Sequence, residues 1–312
     1  MKILITGVAG FIGSSVAERL VSKGHEVTGL DNFNDHYSPK FKEENAKNLG
    51  IELHRADIRD HGVLKKIFGK GKFDAVLHLA AMVGVRPSIA NPFVYEEINV
   101  KGTLNLLELS RLSGIKKFVF ASSSSVYGDR DKVPFSENDA TNSPISPYAA
   151  TKKAGELLCY TYSSLYRMPS VCLRFFTVYG PKGRPDMAPY KFVDRIAHGK
   201  PIEMYGDGST RRDYTYVADI VNGVESSLSL KANYEIINLG CGTPIMLTDF
   251  IKEIEKNLGR KAKIVRKKMQ PGDVKQTYAD ISKAKKLLGY GPKTEIGKGL
   301  RLFCDWYAKN RM

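Results

Sequence analysis

Along the first half of the chain, short continuously apolar runs alternate with stretches of helical periodicity. Residues 2–6, 26–30, 51–55, 74–79 and 117–122 read as strands. Val76-Leu77-His78-Leu79 and Phe118-Val119-Phe120-Ala121 lack polar alternation, as expected where helices cover both faces of a sheet. Helices are predicted over 11–23, 93–113 and 147–166, with helical sequence after the other strands as well. Strand–helix alternation implies right-handed crossovers and an α/β, Rossmann-like, doubly wound parallel sheet. After 169–175 the pattern loosens into Gly- and Pro-containing stretches, short strands and helices at about 217–230, 247–258 and 297–309. The expectation is a sheet domain over 1–180, with later additions from about 213–240, and a smaller interleaved C-terminal lobe over 181–312.

Composition narrows the class. At 312 residues and 42% hydrophobic content, the chain can bury a full catalytic core. No apolar run approaches the roughly 20 residues of a membrane span. The first residues enter a strand directly, which does not read as a signal peptide, and the expected location is the cytoplasm. The four cysteines, Cys159, Cys172, Cys241 and Cys304, form no CxxC pair, so neither a metal site nor a disulfide framework is expected. A net charge of +15 raises nucleic-acid binding, but no named binding motif accompanies it. Much of the excess lies in Gly259-Arg260-Lys261-Ala262-Lys263 and Ser282-Lys283-Ala284-Lys285-Lys286, amphipathic segments that read as solvated faces. Such a field favours the approach of a polyanionic small molecule instead.

The first chemistry lies at Gly7-Val8-Ala9-Gly10-Phe11-Ile12-Gly13, between the first strand and the first helix. Glycines let the backbone turn sharply and approach a pyrophosphate, which then faces the unpaired N–H groups of the helix start. The spacing is GxxGxxG, a weak signal alone; position strengthens it. Asp31, followed by Asn32, ends the second strand, where an acid accepts from both ribose hydroxyls of an adenosine. A 2′-phosphate would be repelled there, which favours NAD over NADP. Asp57 and Ile58 fall where the adenine edge would lie, and Leu79, Ala80 and Ala81 offer close approach.

A second constellation follows. Ser122-Ser123-Ser124-Ser125-Val126-Tyr127-Gly128 leaves the carboxyl end of a strand, where open α/β sheets place ligands. In Ser146-Pro147-Tyr148-Ala149-Ala150-Thr151-Lys152, Ser146 caps a helix that Pro147 begins, so Tyr148 and Lys152 share one face. A lysine ammonium beside a phenol should lower the phenol pKa from about 10 towards neutrality. Such a tyrosine can take a hydroxyl proton while hydride passes to a nicotinamide, with a serine sharing the hydrogen bond.

With the glycine turn, Asp31, the serine strand and YxxxK in that order, the chain resembles the extended short-chain dehydrogenase/reductase family over essentially its whole length. Its likeness is to the nucleotide-sugar epimerases and dehydratases. The resemblance implies a catalytic triad of Ser123, Tyr148 and Lys152, with Lys152 also reaching the nicotinamide ribose. It adds Asn99 and Ser122 to the cofactor-binding positions. It further implies a homodimer built on the helices at 93–113 and 147–166.

The subfamily is read from residues that differ among relatives. The 4,6-dehydratases look like STDEVYG, whose Asp-Glu pair carries protons for loss of water; here those positions are Ser124 and Ser125. UDP-glucuronate decarboxylases keep a Glu where Ser125 stands. Without a carboxyl group elimination lacks its proton carrier. Asp31-Asn32-Phe33-Asn34-Asp35-His36-Tyr37, Gly84-Val85-Arg86, Phe175-Phe176-Thr177-Val178-Tyr179-Gly180, Gly183-Arg184-Pro185-Asp186-Met187-Ala188 and Met269-Gln270-Pro271-Gly272-Asp273-Val274 look like UDP-glucuronate 4-epimerases. Many neutral-sugar relatives carry Asn in place of Thr177 and Arg in place of Gln270. The implied substrate is a UDP-sugar, UDP-glucuronate first and UDP-glucose second. Ser124, Ser125 and Thr177 are the hydroxyl candidates for a uronate and Arg184 the cationic one. Arg212 is assigned to the diphosphate, and Arg86 and Asp273 to the substrate side. A UDP-glucuronate decarboxylase, a net reductase and a nucleotide-binding regulatory protein without chemistry are the competing readings.

Overall fold

The computed structural model describes residues 1–270 and 272–312, so Pro271 of the 269–274 segment lies outside it. Strands β1 (Lys2–Thr6), β2 (Glu26–Asp31), β3 (Glu52–Arg55), β4 (Ala75–His78), β5 (Lys117–Ser123) and β6 (Ser170–Phe175) join Tyr234–Leu239 in one seven-stranded sheet. Its order is Tyr234–Leu239, β6, β5, β4, β1, β2, β3, and every pairing is parallel. The chain winds outward in both directions from β1, so a crevice opens beyond the carboxyl ends of β1 and β4, where ligands bind in such sheets.

Both sheet faces are covered, which is why the strands read as unbroken apolar runs. On one face pack helix α1 (Phe11–Ser22) and Val217–Leu228, through Phe11, Val16, Leu20, Ile220 and Val224. The other face carries His61–Gly71, Gly102–Leu112 and Pro147–Tyr166, through Leu64, Phe68, Leu106 and Cys159. Cys159 and Cys172 are small buried core residues, as their apolar surroundings suggest.

A third core forms the C-terminal lobe. Ala188–Ala197, Leu247–Leu258 and Ile296–Arg311 bury Tyr190, Val193, Phe250, Ile254, Leu300 and Phe303 together. Pro201–Tyr205 pairs in parallel with Lys263–Lys267, and Thr177–Tyr179 with Tyr214–Tyr216. The helix at Ala188–Ala197 was not among those expected. Pro189 suggests a break, yet it stands in the first helical turn, where its missing N–H has no partner to lose.

The helix expected over 93–113 is interrupted. It runs as Pro92–Glu96, a π turn at Glu97–Lys101, then Gly102–Leu112. The inserted residue turns the Asn99 amide onto the Met82 backbone, and Gly102 lets the helix press on Ile58, whose side chain a Cβ would meet at 2.6 Å. No helix among the described residues is long and apolar enough to cross a membrane.

Candidate active site

The end of the crevice nearest β1 is built by glycine. Gly7 follows β1 at φ 72°, and a Cβ on it would lie 2.7 Å from the Ala80 amide nitrogen. A Cβ on Gly13 would lie 2.1 Å from the Gly7 carbonyl oxygen. Helix α1 starts at Phe11 with no side-chain cap at Gly10 and no acid in its first turn. Such a turn could hold a diphosphate: bare N–H groups, no competing carboxylate, and backbone open to close approach.

Asp31 ends β2, where it could hold an adenosine ribose. Its carboxylate accepts from the Ala9 amide at 3.1 Å and the Phe33 amide at 2.9 Å. Burial raises its pKa, against the opposing pull of those amides and of Lys42. Asn32 donates to Asp57 at 2.9 Å; burial acts against the Asp57 carboxylate, but hydrogen bonds from Arg59 and Asn32 bring it down to about 2.

From there one cleft of about 360 Å³ runs past the sheet edge. Its walls include Gly7, Gly10, Phe11, Ile12, Gly13, Asp31, Asn32, Asp57, Ile58, Leu79, Ala80 and Ala81 at the glycine end. At the other end stand Ser122, Ser123, Ser124, Ser125, Tyr148, Lys152, Thr177 and Arg184. Ser123 ends β5 and caps a tight turn at Ser124–Tyr127, its Oγ accepting from the Ser125 amide at 3.1 Å. Ser146 accepts from the Ala149 amide at 3.1 Å, which starts the Pro147–Tyr166 helix and points Tyr148 into the cleft.

The electrostatics differ from the expectation for YxxxK. Lys152 Nζ donates to the Ala121 carbonyl at 2.8 Å and lies 5.0 Å from the Phe120 ring centre. Burial brings the lysine down to about 7. Burial raises the Tyr148 phenol, and the groups opposing that rise are the Ser123 hydroxyl and the Arg184 charge. The expected acidification of Tyr148 by Lys152 is not seen: burial keeps the phenol raised, and Ser123 and Arg184 only oppose that rise. Arg184 in turn forks onto Asp186 at 3.0 and 2.5 Å, and Asp186 lies 3.5 Å from His36 Nε2.

Four predicted residues do not line the cleft. Asn99 is buried and bound to Met82 N at 2.8 Å, Met82 O at 2.9 Å and Thr151 Oγ1 at 3.0 Å, so it braces the loop after β4. Arg86 and Asp273 pair with each other at 2.6 Å, and Arg86 lies 4.2 Å above the Tyr205 ring. Arg212 donates to the carbonyls of Arg211, Lys275 and Val274. Ser122 borders the cleft, but its hydroxyl turns away to Glu156 at 2.6 Å.

Sequence reading missed Lys42, which lines the cleft near Asp31 and donates to Asn34 O at 2.9 Å and Asn34 Oδ1 at 2.7 Å. Set in Lys40-Phe41-Lys42-Glu43-Glu44 it looks like one more solvated lysine. His36, Tyr37, Tyr190 and Phe303 also reach the cleft, the last two from a lobe whose contribution no local pattern announces.

Comparison with known proteins agrees with this geometry. The GDP-mannose 4,6 dehydratase family matches residues 4–303. A UDP-glucuronate 4-epimerase of Thermodesulfobacterium geofontis is 47% identical over 312 residues, covering 98% of this chain and 96% of that protein. The UDP-glucuronic acid 4-epimerase of Bacillus cereus, solved with UDP-glucuronic acid and NAD, superposes with a TM-score of 0.94 at 38% identity, covering 99% of both chains. The UDP-glucose 4-epimerase of Thermotoga maritima, solved with UDP-glucose, superposes with a TM-score of 0.94 at 32% identity over 100% of each chain.

Proposed function

This chain belongs to the GDP-mannose 4,6 dehydratase family of short-chain dehydrogenase/reductase-type epimerases and dehydratases, and on that premise we propose that it is an NAD-dependent UDP-glucuronate 4-epimerase. The observation that carries the reading is the reacting end of the cleft. Tyr148 stands there with four hydroxyl residues, Ser123, Ser124, Ser125 and Thr177, and with Arg184, while serines occupy the positions where dehydratases place acids.

The Gly7–Gly13 turn would hold the cofactor's diphosphate, Asp31 its adenosine ribose and Lys152 its nicotinamide ribose, within the 1–180 region; residues 181–312 would supply most of the substrate lobe. Bound NAD supplies reversible oxidation at the sugar C4, with no net redox change. Tyr148 as phenolate takes the C4 hydroxyl proton, and Ser123 shares the hydrogen bond. The 4-keto sugar turns about its diphosphate and presents its other face, and Tyr148 then returns the proton to give UDP-galacturonate. A 4-keto uronate is a β-keto acid, prone to lose CO₂. Hydroxyls and a cation that fix the carboxylate disfavour the geometry for that loss.

Product analysis by NMR after incubation with UDP-glucuronate and, separately, UDP-glucose tests the reading. UDP-galacturonate as main product is expected; UDP-pentose, or turnover of UDP-glucose alone, overturns it. UDP-glucose 4-epimerisation is the second reading, favoured by the equal superposition on the Thermotoga enzyme. Arg184 separates the two. Arg184→Met should raise KM for UDP-glucuronate by roughly 10-fold or more, the worth of one charge-assisted hydrogen bond, and change KM for UDP-glucose little. An equal rise for both sugars would place Arg184 on their shared nucleotide.

We propose a homodimer as well. The helices Gly102–Leu112 and Pro147–Tyr166 leave Leu104, Leu112, Leu157 and Leu165 exposed, apolar positions that a second copy of the chain would cover. Sedimentation should give twice the chain mass, and Leu157→Glu should shift it towards the single-chain mass.

A further inference from the structure

Beneath the serine strand lies a buried charge pair that the chemistry does not use. Glu156 and Arg174 are 0% and 1% exposed and neither borders the cleft. Arg174 Nε and Nη2 meet the two Glu156 oxygens at 2.7 and 2.8 Å. Ser122 Oγ donates to the same carboxylate at 2.6 Å, and Lys153 Nζ approaches at 3.2 Å. Arg174 on β6 is the register partner of Ser122 on β5, so the pair ties three elements at one level: β5, β6 and the Tyr148 helix.

The attachments between β5 and that helix form a ladder. Phe120 packs on Gly155, where a Cβ would lie 2.3 Å from the ring. Ala121 accepts from Lys152, and Ser122 donates to Glu156. The next residue is Ser123, which lines the cleft together with Tyr148. Each of three consecutive strand residues is fixed to the helix just before the strand delivers its reacting serine. Replacing a buried ion pair by apolar residues is often neutral or stabilising, so stability alone gives no reason for charges here.

We propose that the Glu156–Arg174 pair, acting through Ser122, is a positioning device that sets the register of the Tyr148 helix on β5 and hence the Ser123–Tyr148 geometry needed for proton transfer. This rests on the epimerase reading above. The test is the apolar double variant Glu156→Leu/Arg174→Met, which leaves no unpaired charge in the core, beside Arg174→Lys, which keeps the charge pair without the fork. A misplacement of about 1 Å in a reacting group costs roughly 100-fold in rate. The double variant should therefore melt cooperatively and keep its bound NAD and its KM, while kcat falls by that order; Arg174→Lys should recover part of the loss. Amide exchange at Ser123, Ser124 and residues 148–152 should speed up by about tenfold without matching change in β1, as expected of local opening. A folded double variant with unchanged kcat and unchanged exchange overturns the proposal. So does a loss of NAD, kcat and cooperative melting together, which marks a merely structural pair. If the double variant does not fold, Ser122→Ala decides, since it cuts only the strand-side bond: a selective kcat loss supports the device and none overturns it. Failure of the wild-type chain to turn over any UDP-sugar would sink the epimerase reading, whereas the exchange measurement tests the clamp independently.

Discussion

Tyr148→Phe is expected to lower epimerase turnover by roughly 100- to 10,000-fold, the usual worth of a positioned general acid–base group. NAD should remain bound, because the phenyl ring keeps the wall of the cleft and only the hydroxyl is lost. The measurement is kcat on UDP-glucuronate beside NAD content of the purified protein. Burial raises the phenol, which favours its neutral form. The Ser123 hydroxyl and the Arg184 charge act against that rise. Ser123→Ala should thus lower the rate less than Tyr148→Phe, since it removes a helper and leaves the base. Substantial turnover by Tyr148→Phe would remove the tyrosine from the role assigned to it.

Much of the sheet was legible because its physics is local. Runs such as Ile3-Leu4-Ile5 and Phe118-Val119-Phe120 are apolar on both faces, and glycine punctuates the turn that follows β1. The candidate nucleotide residues were legible for the same reason: Gly7 and Asp31 lie at strand ends fixed by that alternation, and Gly13 in the first turn of the helix that follows. Harder to read was where side chains spend their hydrogen bonds. Ser122, Asn99, Arg86, Asp273 and Arg212 are bound to protein groups distant in sequence, and spacing carries no trace of those partners. Lys152 shows the same limit one level down. Its place on the helix follows from the fourth-residue rule, but its choice of the Ala121 carbonyl depends on how deeply the helix sinks towards Phe120. Lys42 stayed hidden because a buried lysine and a solvated one look alike in sequence.

Gly13→Ala should reduce NAD affinity by about 100-fold or more, a cost near 2.8 kcal/mol at 1.4 kcal/mol per tenfold. The methyl would be 2.1 Å from the Gly7 carbonyl oxygen, 2.9 Å from the Gly7 carbonyl carbon and 3.0 Å from the Val8 Cα. All three are backbone atoms, so no side chain can swing aside, and the turn or the start of α1 must move. Gly7 cannot yield freely, since it packs edge-on against Ala80 across the sheet. The N–H groups that face the diphosphate would move with the helix and leave the anion position. Gly24→Ala is the matched control: its φ of 78° strains an alanine, but nothing lies within 4 Å of the added methyl. That variant should lose about 1–2 kcal/mol of stability from left-handed strain and keep its NAD affinity. Calorimetric titration of the stripped protein with NAD, beside thermal melts, separates the two effects. If Gly13→Ala binds NAD as tightly as the parent chain, the diphosphate does not sit on this turn.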